Sequence, residues 1–289
     1  MTILQAIILG IVQGITEFLP ISSSGHLIIV GRAVGVNYMP LGFELLTHLA
    51  TLLAVIVVMR KTLFGLVRKP FQKMNLLIIV ATLPTVVIFL IFRNVFESAF
   101  DGRWLAFCFL ITAIVLFVSG MLGRKARGGM PGMRSLQMNK KQSTLAVGDA
   151  HRASRNDIKE LSFLDATIIG IIQGTAGLPG ISRSGVTIAG AKMLGQDQQT
   201  AANFSFLIAI PIIIGASIFQ FVGVGLSADA FGVSVAAAAA GFLAAFITGF
   251  IAISLMLKLF SRISLDAFAI YLVVLALFVV LNDFVWFLF

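Results

Sequence analysis

The chain has 289 residues, 59% hydrophobic and 11% charged, whereas soluble domains run roughly 45–50% apolar and about 25% charged. That balance excludes a soluble enzyme. The net charge of +9, from 21 Lys and Arg against 12 Asp and Glu, comes mainly from basic residues between hydrophobic stretches, so it reads as a topology signal and not as a nucleic-acid surface.

The N-terminus has neither a basic leader region nor a cleavage site before Glu17, and is expected to belong to the mature protein. Residues 3–36 hold an apolar stretch of about 17 residues, a turn of Ser, Gly and Pro, and a second apolar arm of about ten. Two arms this short around a polar turn predict a re-entrant helical hairpin, allowed in a membrane where irregular backbone is buried in protein or faces water. The hairpin reads Gln13-Gly-Ile-Thr-Glu17-Phe-Leu-Pro-Ile-Ser22-Ser23-Ser24-Gly25-His26. Gln13 and Glu17 are four apart and share a helix face. An ionisable group at membrane depth is costly and is by default a functional candidate; the competing reading puts Glu17 in interfacial water. Any one serine could simply satisfy the backbone of a tight turn, but beside Glu17 and His26 the three become a nucleophile-and-base constellation.

Full crossings are predicted at 41–59, 76–92, 104–122, 204–224, 231–257 and 265–287. Uncharged runs of 19 residues between Lys73 and Arg93, 20 between Arg103 and Arg124, 31 between Asp197 and Asp229 and 28 between Asp229 and Lys258 support them, since about 20 residues cross a ~30 Å hydrocarbon core. Glu44 and His48, a second i, i+4 pair near the outer end of the first crossing, read either as supporting or metal-associated residues of the site or as an interfacial packing pair. Arg60, Lys61, Arg68, Lys69 and Lys73 follow that crossing, and segment 124–160 carries nine Lys or Arg against three acids. Both connections are therefore predicted to be cytoplasmic. The balanced loop 93–103 and Asp229 fall outside, and Lys258 and Arg262 inside. Cys108 lies alone in an apolar run, so neither a disulfide framework nor a Cys-based metal site is expected. Segment 124–160 lacks the apolar content to order itself and is predicted to be a mobile linker, with anionic-lipid binding as the other reading.

The second hairpin, 163–196, repeats the first at an offset of 160. Gly10-Ile-Val-Gln-Gly14 aligns with Gly170-Ile-Ile-Gln-Gly174, Ile21-Ser-Ser-Ser-Gly25 with Ile181-Ser-Arg-Ser-Gly185, and Gly35 with Gly195. Matching Gln, Ser and Gly in register marks an internal repeat. Alternation of the crossings lets the first hairpin enter from outside and the second from inside, so the tips are predicted to meet near the midplane, as in inverted-repeat membrane proteins. The second tip, Pro179-Gly-Ile-Ser182-Arg183-Ser184-Gly-Val-Thr187, offers a guanidinium, hydroxyls and glycine-freed N–H groups, the forked donor array that a phosphate takes. The bland alternative is a structural Arg183 paired with Glu17. A carboxylate, an imidazole, hydroxyls and one fixed cation suit phosphoryl transfer better than passive transport.

In these residues the chain resembles the undecaprenyl-diphosphatase family of the BacA, or bacitracin-resistance, type. The resemblance covers nearly the whole chain and rests on two motifs: Gln13 to Glu17 leading into Pro20-Ile-Ser-Ser-Ser-Gly-His26, and Pro179-Gly-Ile-Ser-Arg-Ser-Gly-Val-Thr187. Many members carry Glu where this chain has Gln13, and the linker 124–160 is long for the family. The resemblance implies an enzyme of the bacterial inner membrane, with its active site open to the periplasm. It would remove the terminal phosphate of undecaprenyl diphosphate, recycle the lipid carrier for peptidoglycan synthesis and confer bacitracin resistance. It also implies a divalent cation, Mg2+ or Ca2+.

The expected fold is an all-α polytopic membrane protein, six transmembrane helices and two re-entrant hairpins in one domain, with repeat 1 over about 1–122 and repeat 2 over about 161–289. Glu17, Ser23, His26 and Arg183 are the expected catalytic residues, Ser23 attacking while His26 or Glu17 takes its proton; water assisted by Glu17 is the competing attacker. Gln13, Ser22, Ser24, Ser182, Ser184 and Thr187 are expected to bind phosphate, with Glu17 and Gln13 as candidate metal ligands. The expected partners are a polyprenyl diphosphate and membrane lipid, with no nucleic acid and an oligomeric state the sequence leaves open. The alternative function is a secondary transporter or lipid-phosphate flippase on the same inverted repeat.

Overall fold

The structure is a computed structural model describing residues 1–128, 160–224, 232–260 and 263–282; those residues form helices joined by turns, without strands. Helices α1 (Ile3–Phe18) and α2 (Ser23–Ala33) form a first hairpin. They are followed by α3 (Leu41–Val58), the short α4 (Arg60–Arg68), α5 (Lys73–Ser98) and α6 (Leu105–Gly128). A second hairpin of α7 (Phe163–Gly174) and α8 (Arg183–Met193) leads into α9 (Gln198–Val224), α10 (Val235–Leu259) and α11 (Leu265–Leu281).

Five stretches are long and apolar enough to cross a membrane: Leu41–Val58, Lys73–Asp101, Leu105–Leu122, Gln198–Phe221 and Val235–Leu259. Helix α11 has 17 residues, and the end of the expected crossing 265–287 lies outside the described residues. So does most of the expected linker 124–160, although α6 runs into it as far as Gly128. Several helices overrun the expected crossings because loss of charge marks the hydrocarbon boundary without stopping helical hydrogen bonding. Outside the expected 76–92, the last turns of α5 carry Arg93 and Glu97 as an i, i+4 pair at 2.7 Å, which supports a helix in water. The connection 60–73 likewise carries a helix. Leu83, Ile91, Ile114 and Leu277 are more than half exposed, and bands of such side chains suit hydrocarbon.

The offset of 160 recurs through the structure. Thr2 caps α1 in a reciprocal box with Gln5, and Ser162 caps α7 in the same way with Asp165, satisfying first-turn donors that have no intrahelical acceptor. Each hairpin ends on a left-handed glycine, Gly35 at φ 80° and Gly195 at φ 95°, and α6 and α11 begin at Leu105 and Leu265. The contacts repeat as well: α1 packs on α10 and α7 on α5, while α3 meets α9 and α6 meets α11. Gly10 lies against the carbonyl of Gly241, and Gly170 against that of Ala81, two pairs again 160 apart. The first arm of each hairpin is thus held by a helix of the other half, and the two tips come together at the centre.

Candidate active site

Two serine-capped helix starts form the centre of the site. Ser22 caps α2 and accepts from Gly25 N–H at 3.4 Å, while Ser182 caps α8 and accepts from Gly185 N–H at 3.1 Å. The tips hold each other: Gly180 N–H donates to Ser22 Oγ at 3.1 Å, and Ser184 Oγ donates to the Leu19 carbonyl at 2.8 Å. Gly180, at φ 95°, could not carry a side chain, since a Cβ would sit 2.7 Å from Cys108 Cβ and 2.9 Å from the Leu105 carbonyl oxygen. Thr112 of α6 anchors this second tip, accepting from Ser182 N–H with its hydroxyl 3.1 Å from the Gly180 carbonyl. Ser23, Ser24, Arg183 and Ser184 open their helices, so their N–H groups lack intrahelical acceptors and bring two positive helix ends to one place.

Glu17, 7% exposed, is the hub. One carboxylate oxygen takes Arg183 Nη2 at 2.5 Å. The other takes Ser23 Oγ at 2.7 Å and Gln13 Nε2 at 3.0 Å, with His48 Nε2 3.9 Å away. A carboxylate buried this deeply needs both its countercharge and its hydrogen bonds, because removing one partner leaves an uncompensated charge. The Arg183–Glu17 pair is also the structural pairing that the sequence left open for that arginine.

Gln13, Glu17, Ser23, Arg183 and His48 therefore form one cluster, with Ser22 and Ser24, 3.3 Å apart, in the adjoining turn. Ser182 and Ser184, also 3.3 Å apart, belong to the second turn. Thr187 is turned away: its hydroxyl donates to the Arg183 carbonyl at 2.8 Å and pairs with Ser205 at 2.6 Å, holding the backbone that bears Arg183. His26 does not reach Ser23. Its Nδ1 lies 2.7 Å from the Ser22 carbonyl and its Nε2 2.6 Å from the Tyr271 hydroxyl. Glu44 enters through its carbonyl, which His48 Nδ1 meets at 2.9 Å, so that the other ring nitrogen faces Glu17. Thr112, Ser205 and Tyr271 were not singled out in the sequence; each lies in a predominantly apolar helix, and only the tertiary fold brings it to a tip.

Among the described residues no three His, Cys, Asp or Glu side chains group as a metal cage. A Mg2+-type site needs less, taking one or two protein oxygens and completing its shell with phosphate oxygens and water. Gln13 Oε1 is buried without a hydrogen-bond partner, on a side chain bonded to the Glu17 carboxylate, so this pair of hard oxygen donors fits such an ion.

The family described as bacitracin resistance protein BacA matches residues 6–278. An undecaprenyl-diphosphatase of Carboxydothermus hydrogenoformans is 35% identical over 273 residues, 94% of each chain. An undecaprenyl-diphosphatase 4 of Bacillus cereus is 37% identical over 269 residues, 93% of this chain and 92% of the relative. An undecaprenyl-diphosphatase of Methanobrevibacter smithii is 34% identical over 291 residues, 94% of both. The family match runs from α1 into α11 and takes in both serine-capped tips, and the chain belongs to the BacA family.

Proposed function

We propose that the protein is an undecaprenyl-diphosphate phosphatase, releasing inorganic phosphate and undecaprenyl phosphate, and so recycles the lipid carrier of peptidoglycan synthesis and confers bacitracin resistance. The observation that carries this reading is the Ser23–Glu17–Arg183 contact across the two tips. It joins a hydroxyl, a base and a forked cation at two helix starts. The names of relatives aligned over more than nine-tenths of the chain agree with it.

Arg183 exchanges Glu17 for the incoming diphosphate, and the first-turn N–H groups of α2 and α8 donate to its oxygens. Glu17, released from the guanidinium, takes the Ser23 proton along the existing 2.7 Å hydrogen bond. Ser23 Oγ attacks the terminal phosphorus as the bridging P–O bond breaks, so that undecaprenyl phosphate leaves and phosphate stays on Ser23. Water then attacks that phosphorus as the P–Oγ bond breaks, Glu17 returns to Ser23 Oγ the proton it took, and inorganic phosphate leaves. A divalent cation at Gln13 and Glu17 would neutralise diphosphate charge. The chain's own task is positioning and electrostatics, which dominate phosphoryl transfer.

The same proposal includes six crossings and two re-entrant hairpins of opposite orientation, in a bacterial inner membrane with the site open to the periplasm. Swapped contacts at an offset of 160 support the repeat, and the basic connections support the orientation. Phosphate release by purified protein in detergent tests the function. A transporter or flippase on the same architecture would move lipid across a vesicle bilayer and release no phosphate.

A further inference from the structure

Ser22, immediately before Ser23, is the one non-glycine residue among those described with a left-handed backbone, at φ 69°. A residue with a Cβ keeps such a conformation only where its surroundings hold it. The Ser22 hydroxyl is held by the Gly25 and Gly180 N–H groups, and its carbonyl oxygen takes the His26 backbone N–H at 3.3 Å and, more closely, His26 Nδ1 at 2.7 Å. A carbonyl only accepts, so Nδ1 carries the hydrogen and the neutral ring keeps its lone pair on Nε2. There the Tyr271 hydroxyl, 2.6 Å away on α11, donates. The two rings lie nearly parallel, 9° apart with centroids at 5.7 Å, and Phe109 presses on the imidazole at 5.8 Å. Both ring nitrogens are committed and neither points at Ser23.

We infer that Tyr271 and His26 form a positioning relay: the phenol orients the imidazole, and the imidazole fixes the Ser22 carbonyl and hence the peptide that presents Ser23. Neither residue touches substrate. The inference rests on the reading of Ser23 as the reaction centre, and it makes His26 a positioning residue where the sequence offered it as a base.

Two readouts on the purified full-length protein in detergent test it. The chain has three histidines, and the His26 nitrogen signals are those lost in His26→Asn. Histidine labelled with 15N should show His26 protonated on Nδ1, and Tyr271→Phe, which keeps the stacked ring, should shift the Nε2 signal alone. In the same variant, kcat for phosphate release from undecaprenyl diphosphate should fall about tenfold, with KM within about twofold of wild type. His26→Asn, whose amide can still donate to the Ser22 carbonyl, should keep clearly more activity than His26→Ala. Adding Tyr271→Phe to His26→Ala should cost nothing further. An Nε2-protonated ring, an unchanged kcat in Tyr271→Phe, or a His26→Asn variant as inactive as His26→Ala would overturn the relay. Full turnover by Ser23→Ala would instead remove the reaction centre, a failure recognisable because the nitrogen spectrum would stay as predicted.

Discussion

Glu17 accepts from Arg183, Ser23 and Gln13 at once, and this fixes what each substitution should do. Glu17→Gln keeps the volume but removes the negative charge to which Ser23 donates and which, in the proposed mechanism, would receive its proton; it should lower phosphate release at least ~10²-fold, since buried transition-state electrostatics are worth roughly 3–4 kcal/mol per group. Arg183→Lys keeps a charge but loses the fork, and a point charge does not replace bidentate donation, so it should be impaired as well. Acid quenching during turnover of substrate labelled in its terminal phosphate should find label on Ser23. Rapid turnover with no labelled Ser23 would favour water assisted by Glu17. The sequence already pointed to Glu17, an ionisable group on an apolar helix one turn from Gln13, and to Ser23 and Arg183, which sit in Ser- and Gly-rich turns between apolar arms. It could not show which hydroxyl faces which base: that His26 turns to Tyr271, or that Thr187 turns to Ser205, depends on helices far away in the chain.

Glycine sets the approach of the elements that carry these residues. A Cβ on Gly14 would lie 2.5 Å from the Ala245 carbonyl oxygen and 2.6 Å from Gly249 N, so Gly14→Ala must push α1 off α10 and move Glu17 with it. A loss of about 1–3 kcal/mol is expected for such overpacking. Gly65 in α4 has no neighbour within 4 Å of its would-be Cβ, and Gly65→Ala should leave stability unchanged or gain up to about 1 kcal/mol of helix propensity. Thermal unfolding of both variants in detergent checks the contrast; equal melting temperatures would mean that the α1–α10 approach does not limit stability. The Gly-x-x-x-Gly spacing of each first arm was legible as part of a repeat. The partner helix was not, because equivalence beyond the hairpins survives in helix boundaries and contacts such as Gly10–Gly241 and Gly170–Ala81 rather than in matching residues.

At the scale of the whole molecule, the two halves exchange their hairpin arms, and the site exists only where the tips meet. The copies have diverged at the site: Glu17 corresponds to Gly177 and Ser23 to Arg183, so one half carries the carboxylate and the hydroxyl bonded to it and the other the guanidinium. In a Cys108→Ser background, a single cysteine at Ser98 should react with an impermeant thiol reagent from the periplasmic side, and one at Gly65 only after the membrane is opened. The reverse pattern would invert the orientation and the face on which substrate enters. The central claim is that Glu17 and Arg183, 166 positions apart in sequence, act on one diphosphate. Its most direct test is phosphate release from undecaprenyl diphosphate by purified wild type, Glu17→Gln, Arg183→Ala and the double variant. The double variant should be little worse than the poorer single, since residues that act as a unit are strongly non-additive; losses that simply multiply would place the two residues in separate sites and contradict the claim.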